Sequence, residues 1–144
     1  MVGPAQPRLT HVAFAVADLD VTIAWYAEFT DLEVVHERRD DDGSVAWLGE
    51  PDRTEHPFVL VAAALDAMPD PGPTIAGFAH FGIELPSRAD VDAVAERGRA
   101  AGCLRWEVQD LGPPVGYVCA LADPDGNLIE FSHDQGVYDA VVGP

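Results

Sequence analysis

Two stretches of this chain follow the same pattern, and that repetition limits the fold more than any other feature. LTHVAFAV, residues 9–16, alternates Val12, Phe14 and Val16 on one face with His11, Ala13 and Ala15 on the other. AHFGIEL, residues 79–85, sets Phe81, Ile83 and Leu85 against His80, Gly82 and Glu84. The two histidines share a phase and stand 69 positions apart. After the first stretch, Asp18 or Asp20 can cap a helix carrying Leu19, Ile23, Tyr26 and Ala27 and ending near Thr30. After the second, Ser87 with Asp90 resembles a capping box, Val91, Val94, Ala95 and Gly98 form an apolar stripe, and Gly102 is a helix stop. LEVVHERR, SVAWLG and FVLVAAA then read as strands, with DDDG at residues 40–43 as a turn, and CLRWEVQD, PVGYVCALAD and NLIEFSH read as strands in the second half. The chain is a βαβββ unit written twice.

These patterns predict a module over residues 8–65, a linker over 66–77 that is rich in breakers (Pro69, Pro71, Gly72, Pro73), a module over 78–133 and a tail over 134–144. At 144 residues and 48% hydrophobic the chain is long enough for one domain with a sizeable core. A half of roughly 65 residues with one helix covers its own sheet poorly, so the halves are expected to fuse or pair. The tail carries Val137, Tyr138, Val141 and Val142, apolar enough to lie over a partner subunit, and a homodimer is expected.

Composition removes several function classes. Eight basic against 25 acidic residues leave a net charge of −17, which opposes nucleic acid and anionic membrane surfaces and leaves small molecules as partners. Every basic residue is arginine, which excludes Schiff-base lysine chemistry and the P-loop lysine. There is no GxGxxG, GxSxG or HExxH. Cys103 and Cys119 have no metal or disulfide spacing and read as core thiols. No apolar run approaches the ~20 residues of a membrane span and no signal peptide is evident, so a cytoplasmic protein is expected.

Three polar residues interrupt apolar strands: His11, His80 and Glu130. Glu130 is the hardest to explain, because DPDGNLIEF places it between Ile129 and Phe131, just after a tight turn set by Asp123, Pro124 and Gly126. An uncompensated buried carboxylate costs several kcal/mol, on the order of that for any ion leaving water. Two imidazoles and a carboxylate from separate strands are the inventory of a facial triad, which holds a divalent metal and leaves positions open. The plainer alternative has both histidines bonded to backbone and Glu130 paired with Arg105. Matched phase, matched place in two repeats and a carboxylate after DPDG favour the metal.

LTHVAFAVADLDVTIAWY, AHFGIEL and DPDGNLIEF together resemble the vicinal oxygen chelate superfamily, which includes glyoxalase I, extradiol dioxygenases, methylmalonyl-CoA epimerase, and fosfomycin and bleomycin resistance proteins. The resemblance spans about residues 8–133 and implies an α+β fold in which paired βαβββ modules form a cup-shaped, barrel-like mixed sheet. It also implies that His11, His80 and Glu130 are ligands to a divalent ion, Fe²⁺, Mn²⁺, Ni²⁺ or Zn²⁺, in a site closed within one chain or between two. Glyoxalase I and the epimerase have a further ligand on the last strand of the first module, but the repeat offset puts the apolar Val61 or Leu60 there. Three ligands resemble the dioxygenase or fosfomycin-transferase type. The extradiol signature has a tyrosine three residues before the turn aspartate, where this chain has Ala120, with Tyr117 nearby. Fosfomycin resistance proteins hold a phosphonate with lysine and arginine, and the second half offers one strand arginine, Arg105. The expected function is a metal-dependent enzyme acting on a small organic molecule through vicinal oxygens, with dioxygenase-like chemistry favoured over lyase or isomerase chemistry. The alternative is a protein that sequesters a drug or natural product without turnover.

Two further residues are candidates for catalysis. Glu84 shares the strand face of His80 and can serve as a general base or orient that imidazole. Tyr117 can donate to a developing oxyanion. His36, beside Glu37, Arg38 and Arg39, reads as a surface histidine, and Trp47 and Trp106 are expected on comparable strands of the two modules.

Overall fold

The computed structural model describes residues 7, 10–66, 80–137 and 141. The chain divides into two compact units, Met1–Pro73 and Thr74–Pro144, with the boundary in the stretch expected to be a linker. Apart from Asp66 that stretch lies outside the described residues, as do Tyr138 and Val142 of the tail. Unit 1 runs β1 (His11–Ala15), α1 (Leu19–Phe29), β2 (Glu33–Asp40), β3 (Gly43–Gly49) and β4 (Val59–Leu65). Unit 2 runs β5 (Phe81–Glu84), α2 (Arg88–Ala101), β6 (Leu104–Asp110), β7 (Tyr117–Ala122) and β8 (Leu128–His133). The strand orders are β1-β4-β3-β2 and β5-β8-β7-β6. In each unit the first and last strands pair parallel and the others antiparallel. The result is the expected α+β class, two four-stranded mixed sheets each with one helix. No helix among the described residues is long and apolar enough to cross a membrane.

The helices form where their caps are. Asp18 accepts the Val21 N–H at 3.1 Å, and Ser87 accepts the Asp90 N–H at 3.1 Å while its hydroxyl donates to the Asp90 carboxylate at 2.8 Å. Gly102 ends α2 in the left-handed conformation, φ +77°, which glycine adopts without steric cost. α2 buries the four residues of its predicted stripe, Val91, Val94, Ala95 and Gly98. The stripe of α1 is rotated from the prediction: it buries Leu19, Thr22, Tyr26 and Phe29, while Ile23 is half-buried and Ala27 exposed. The bulky Phe29, tilted on Trp25 with ring centroids 4.9 Å apart, takes the buried place that the pattern assigned to smaller residues.

In unit 2 the helix-side face of the sheet is apolar. Phe131, Ile129, Leu121 and Cys119 are all at most 1% exposed, and burying each of the larger ones contributes about 1.5–3 kcal/mol. The Cys119 thiol faces the Val91 carbonyl at 3.9 Å. Loss of water around it pushes its pKa up to about 12. Cys103 is half-buried, and both thiols are free. Alkylation of the native protein at pH 8, followed by peptide mass analysis, is therefore expected to modify Cys103 and to leave Cys119 untouched until the protein is denatured. Labelling of both at equal rates in the native state would contradict this packing.

The turn before β8 is built as its residues predict. Asp123 is 4% exposed, and its Oδ1 accepts the N–H groups of Asp125 at 3.0 Å and Asn127 at 2.8 Å. Gly126 stands at φ +88°. This closed loop fixes the register in which β8 enters the sheet, and with it the place of Glu130.

Candidate metal and substrate site

In unit 2 the residues opposite one another across the sheet form the row Gly82, Glu130, Ala120, Trp106. Neighbours in a row point to one face and successive residues along a strand to opposite faces. Leu121, Cys119 and Tyr117 face α2, since a Cβ on Gly98 would meet Leu121, the Cys119 thiol faces Val91 and Tyr117 bonds Asp92. Glu130 therefore lies on the helix-free face, with Glu84 and Ser132 in the next row and His80 just before β5. Gly82 and Ala120 are small, so the carboxylate stands between two low positions with the Trp106 indole beyond.

Glu130 is 6% exposed. Its Oε2 faces His80 Nε2 at 3.5 Å, longer than a good hydrogen bond. Two atoms each about 2.1 Å from one ion and separated by a tetrahedral angle are about 3.4 Å apart, so the pair has the spacing of two ligands sharing a cation. Nitrogen and carboxylate donors suit Zn²⁺, Fe²⁺, Mn²⁺ and Ni²⁺. The residues fit such an ion. The Glu130 Oε1 accepts from Gln135 Nε2 at 2.6 Å, and the Gln135 backbone N–H donates to Glu84 Oε1 at 2.9 Å. The His80 imidazole stands edge-on to Trp106, ring centroids 5.5 Å apart at 81°. Among the described residues, no three His, Cys, Asp or Glu side chains gather into a set that could hold a metal ion, so what unit 2 itself offers is a pair.

Unit 1 has the corresponding row Ala13, Val61, Trp47, His36. Phe14 and Arg39 face α1, through the Tyr26 ring and Asp20, so this row and His11 lie on the helix-free face. His11 is exposed and its Nδ1 lies 2.9 Å from the Thr10 hydroxyl. Val61 holds the register position that Glu130 holds in unit 2. The acidic residue of the second module thus has an apolar counterpart in the first.

Two placements differ from expectation, the disfavoured Glu130–Arg105 pair is absent, and one residue at the site was not anticipated. Tyr117 lies on the opposite face from Glu130: its hydroxyl donates to Asp92 at 2.6 Å, which raises its pKa, and its ring lies under the Arg88 guanidinium at 4.7 Å. It braces α2 against the sheet. Arg105 donates to the carbonyls of Gly102 and Leu104, at 3.1 and 3.4 Å, so the alternative Glu130–Arg105 pair does not form. Trp47 and Trp106 do not occupy comparable strands. Trp47 is on the third strand of its module and Trp106 on the second, where unit 1 has His36, its ring tilted 55° to that of Trp47 with centroids 4.7 Å apart. Gln135 was not a candidate at all. It follows the end of β8, and only the backbone of Asp134, at φ +60°, turns it back toward Glu130.

The profile of the Glyoxalase/Bleomycin resistance protein/Dioxygenase superfamily matches residues 8–131. This chain belongs to that superfamily. Uncharacterized protein PA2024 of Pseudomonas aeruginosa is 44% identical over 132 residues, 90% of each chain. A glyoxylase/bleomycin resistance protein/dioxygenase domain from Frankia sp. EAN1pec superposes with a TM-score of 0.67 at 26% identity, over 88% of this chain and 97% of that one. The trypanothione-dependent glyoxalase I of Leishmania major gives 0.74 at 19% identity, over 95% and 94%. The fosfomycin resistance protein FosX of Listeria monocytogenes gives 0.64 at 17% identity, over 92% and 94%. The last two likenesses concern the fold alone.

Proposed function

We propose that this protein is a divalent-metal-dependent enzyme acting on a small organic molecule through two neighbouring oxygens, with His80 and Glu130 of unit 2 and His11 of unit 1 as the ligands. The observation that carries the reading is the buried Glu130 carboxylate held 3.5 Å from His80 Nε2. A bound cation supplies Lewis acidity to the chelated oxygens and compensates the buried charge. The residues of the chain do the rest. Trp106, with the small Gly82 and Ala120 beside Glu130, walls a space suited to a flat or apolar substrate. Glu84 is exposed on the same face and is the group placed to accept a proton, at the Oε2 that Gln135 leaves free. With Val61 in place of an acid, three protein ligands leave more positions for a chelating substrate and a co-substrate than four would. That favours dioxygenase-type chemistry over the chemistry named for the similar glyoxalase I.

Protein purified without added metal is expected to hold about one equivalent of Fe, Mn, Ni or Zn per chain by elemental analysis, and His80→Ala is expected to hold at least 10-fold less, in line with the loss of a ligand. Catechols with O₂ uptake and vicinal dicarbonyls are the first substrates to screen. A metal-free protein that binds aromatic ligands with unchanged affinity would replace this reading with sequestration. A homodimer sharing the site between chains would regain metal when His11→Ala and Glu130→Gln chains are mixed, whereas a site closed within one chain would not.

A further inference from the structure

We propose that Gln135 is a positioning residue that reserves one oxygen of Glu130 for itself and so limits Glu130 to single-oxygen ligation. This rests on the reading of His80 and Glu130 as ligands.

The chemistry of the two side chains fixes their arrangement. An ionised carboxylate only accepts hydrogen bonds, so the Gln135 amide must turn its NH₂ toward Glu130. Its Nε2 donates to Glu130 Oε1 at 2.6 Å, a charge-assisted bond of the stronger class. In that orientation the Gln135 Oε1 faces the Ser132 hydroxyl, which donates to it at 3.3 Å. The backbone N–H of Gln135 donates to Glu84 Oε1 at 2.9 Å. Three bonds to three different side chains hold the amide where it is.

The backbone is committed to the same end. Asp134 adopts φ +60°, a conformation that non-glycine residues rarely take. Its effect is to reverse the chain just beyond β8, so that Gln135 lies over Glu130 instead of continuing away from the sheet. The His133 ring Nδ1, 2.9 Å from the Leu85 carbonyl, anchors the strand end from which the reversal starts. The two oxygens of Glu130 are thereby made unequal. Oε1 belongs to Gln135 and only Oε2 faces His80. A carboxylate restricted in this way occupies one ligand position instead of two and leaves the other for substrate.

Two measurements test this. In metal-free, ¹⁵N-labelled protein, one side-chain NH₂ proton of Gln135 is expected well downfield of the free-amide position, and Glu130→Gln should move it back upfield. A Gln135 signal at the free-amide position in the wild type overturns the proposal without reference to any metal. The second measurement loads the protein with Mn²⁺ and follows water-proton relaxation. In Gln135→Met, of similar volume, the freed Oε1 joins Oε2 and displaces one water. For a six-coordinate ion with three protein ligands the inner-sphere relaxivity should then fall by about a third. A side chain with a merely structural role would lower thermal stability and leave relaxivity unchanged, and that result overturns the proposal. A wild type with the downfield signal but no Mn²⁺ enhancement refutes the ligand reading, and single-oxygen ligation with it.

Discussion

Glu130→Gln is expected to raise the thermal midpoint of the metal-free protein while abolishing its stoichiometric metal. The carboxylate is 6% exposed, and its partners among the described residues are the Gln135 amide at 2.6 Å and the His80 ring at 3.5 Å. One good hydrogen bond does not offset the several kcal/mol, on the order of which a buried ion is destabilised. Glutamine keeps the shape and the acceptor toward Gln135 and removes the charge, so a gain of about 1–3 kcal/mol is expected in the metal-free state. For a chain of this size that is about 2–4 °C per kcal/mol in Tm. Calorimetry with and without a chelator checks it. The wild type should be the less stable protein after chelation and should gain stability when metal is returned, by mass action on the native state. If chelated wild type is the more stable, the protein alone compensates the carboxylate and the argument for a cation fails.

Gly116→Ala is the substitution expected to damage the fold most. Gly116 stands at φ +87°, and a Cβ there would lie 2.4 Å from the His133 carbonyl oxygen and 2.7 Å from that of Asp134. Both obstacles are backbone, at the end of β8 and the reversal that follows, and neither can rotate away. The conformational cost of about 1–2 kcal/mol for an L-residue in this region adds to an overpacking cost of about 1–3 kcal/mol. A loss of about 3 kcal/mol or more, some 6–12 °C in Tm, is expected. Gly102→Ala is the control. Gly102 has a similar φ, +77°, but nothing within 4 Å of its added Cβ, so only the conformational part, about 1 kcal/mol, should be lost. Equal losses at the two positions would mean that the contact with β8 carries no energy.

Much of this was legible in the sequence because it is local. Strand alternation, the Asp18 and Ser87 caps, the Gly102 stop and the DPDG turn depend on residues within a few positions of one another, and each element formed within two residues of the expected bounds except β7, which begins three residues after Pro114. The pairing of His80 with Glu130 was also accessible, since both stood out as polar residues in apolar strands. The order of the strands already separated the tryptophans, since SVAWLG with Trp47 comes third in its module and CLRWEVQD with Trp106 second in its own. What escaped depended on how the elements pack. Tyr117 looked available because its own strand alternates correctly, but the face it takes is settled by where α2 packs. Gln135 was invisible for another reason: its role depends on one backbone angle at Asp134, and aspartate carries no obligation to adopt it.

The offset of the two indoles by one strand means that the halves of this chain have ceased to be interchangeable. A protein made by writing unit 2 twice would present two acid–imidazole pairs with an alanine between each acid and its outer indole. One made by writing unit 1 twice would keep its imidazoles and place a bulky ring where that alanine stands, with no acid at either site. The duplicated ancestry implied by the pattern therefore survives in the scaffold, while the division of labour between the halves is written in four positions of a single row.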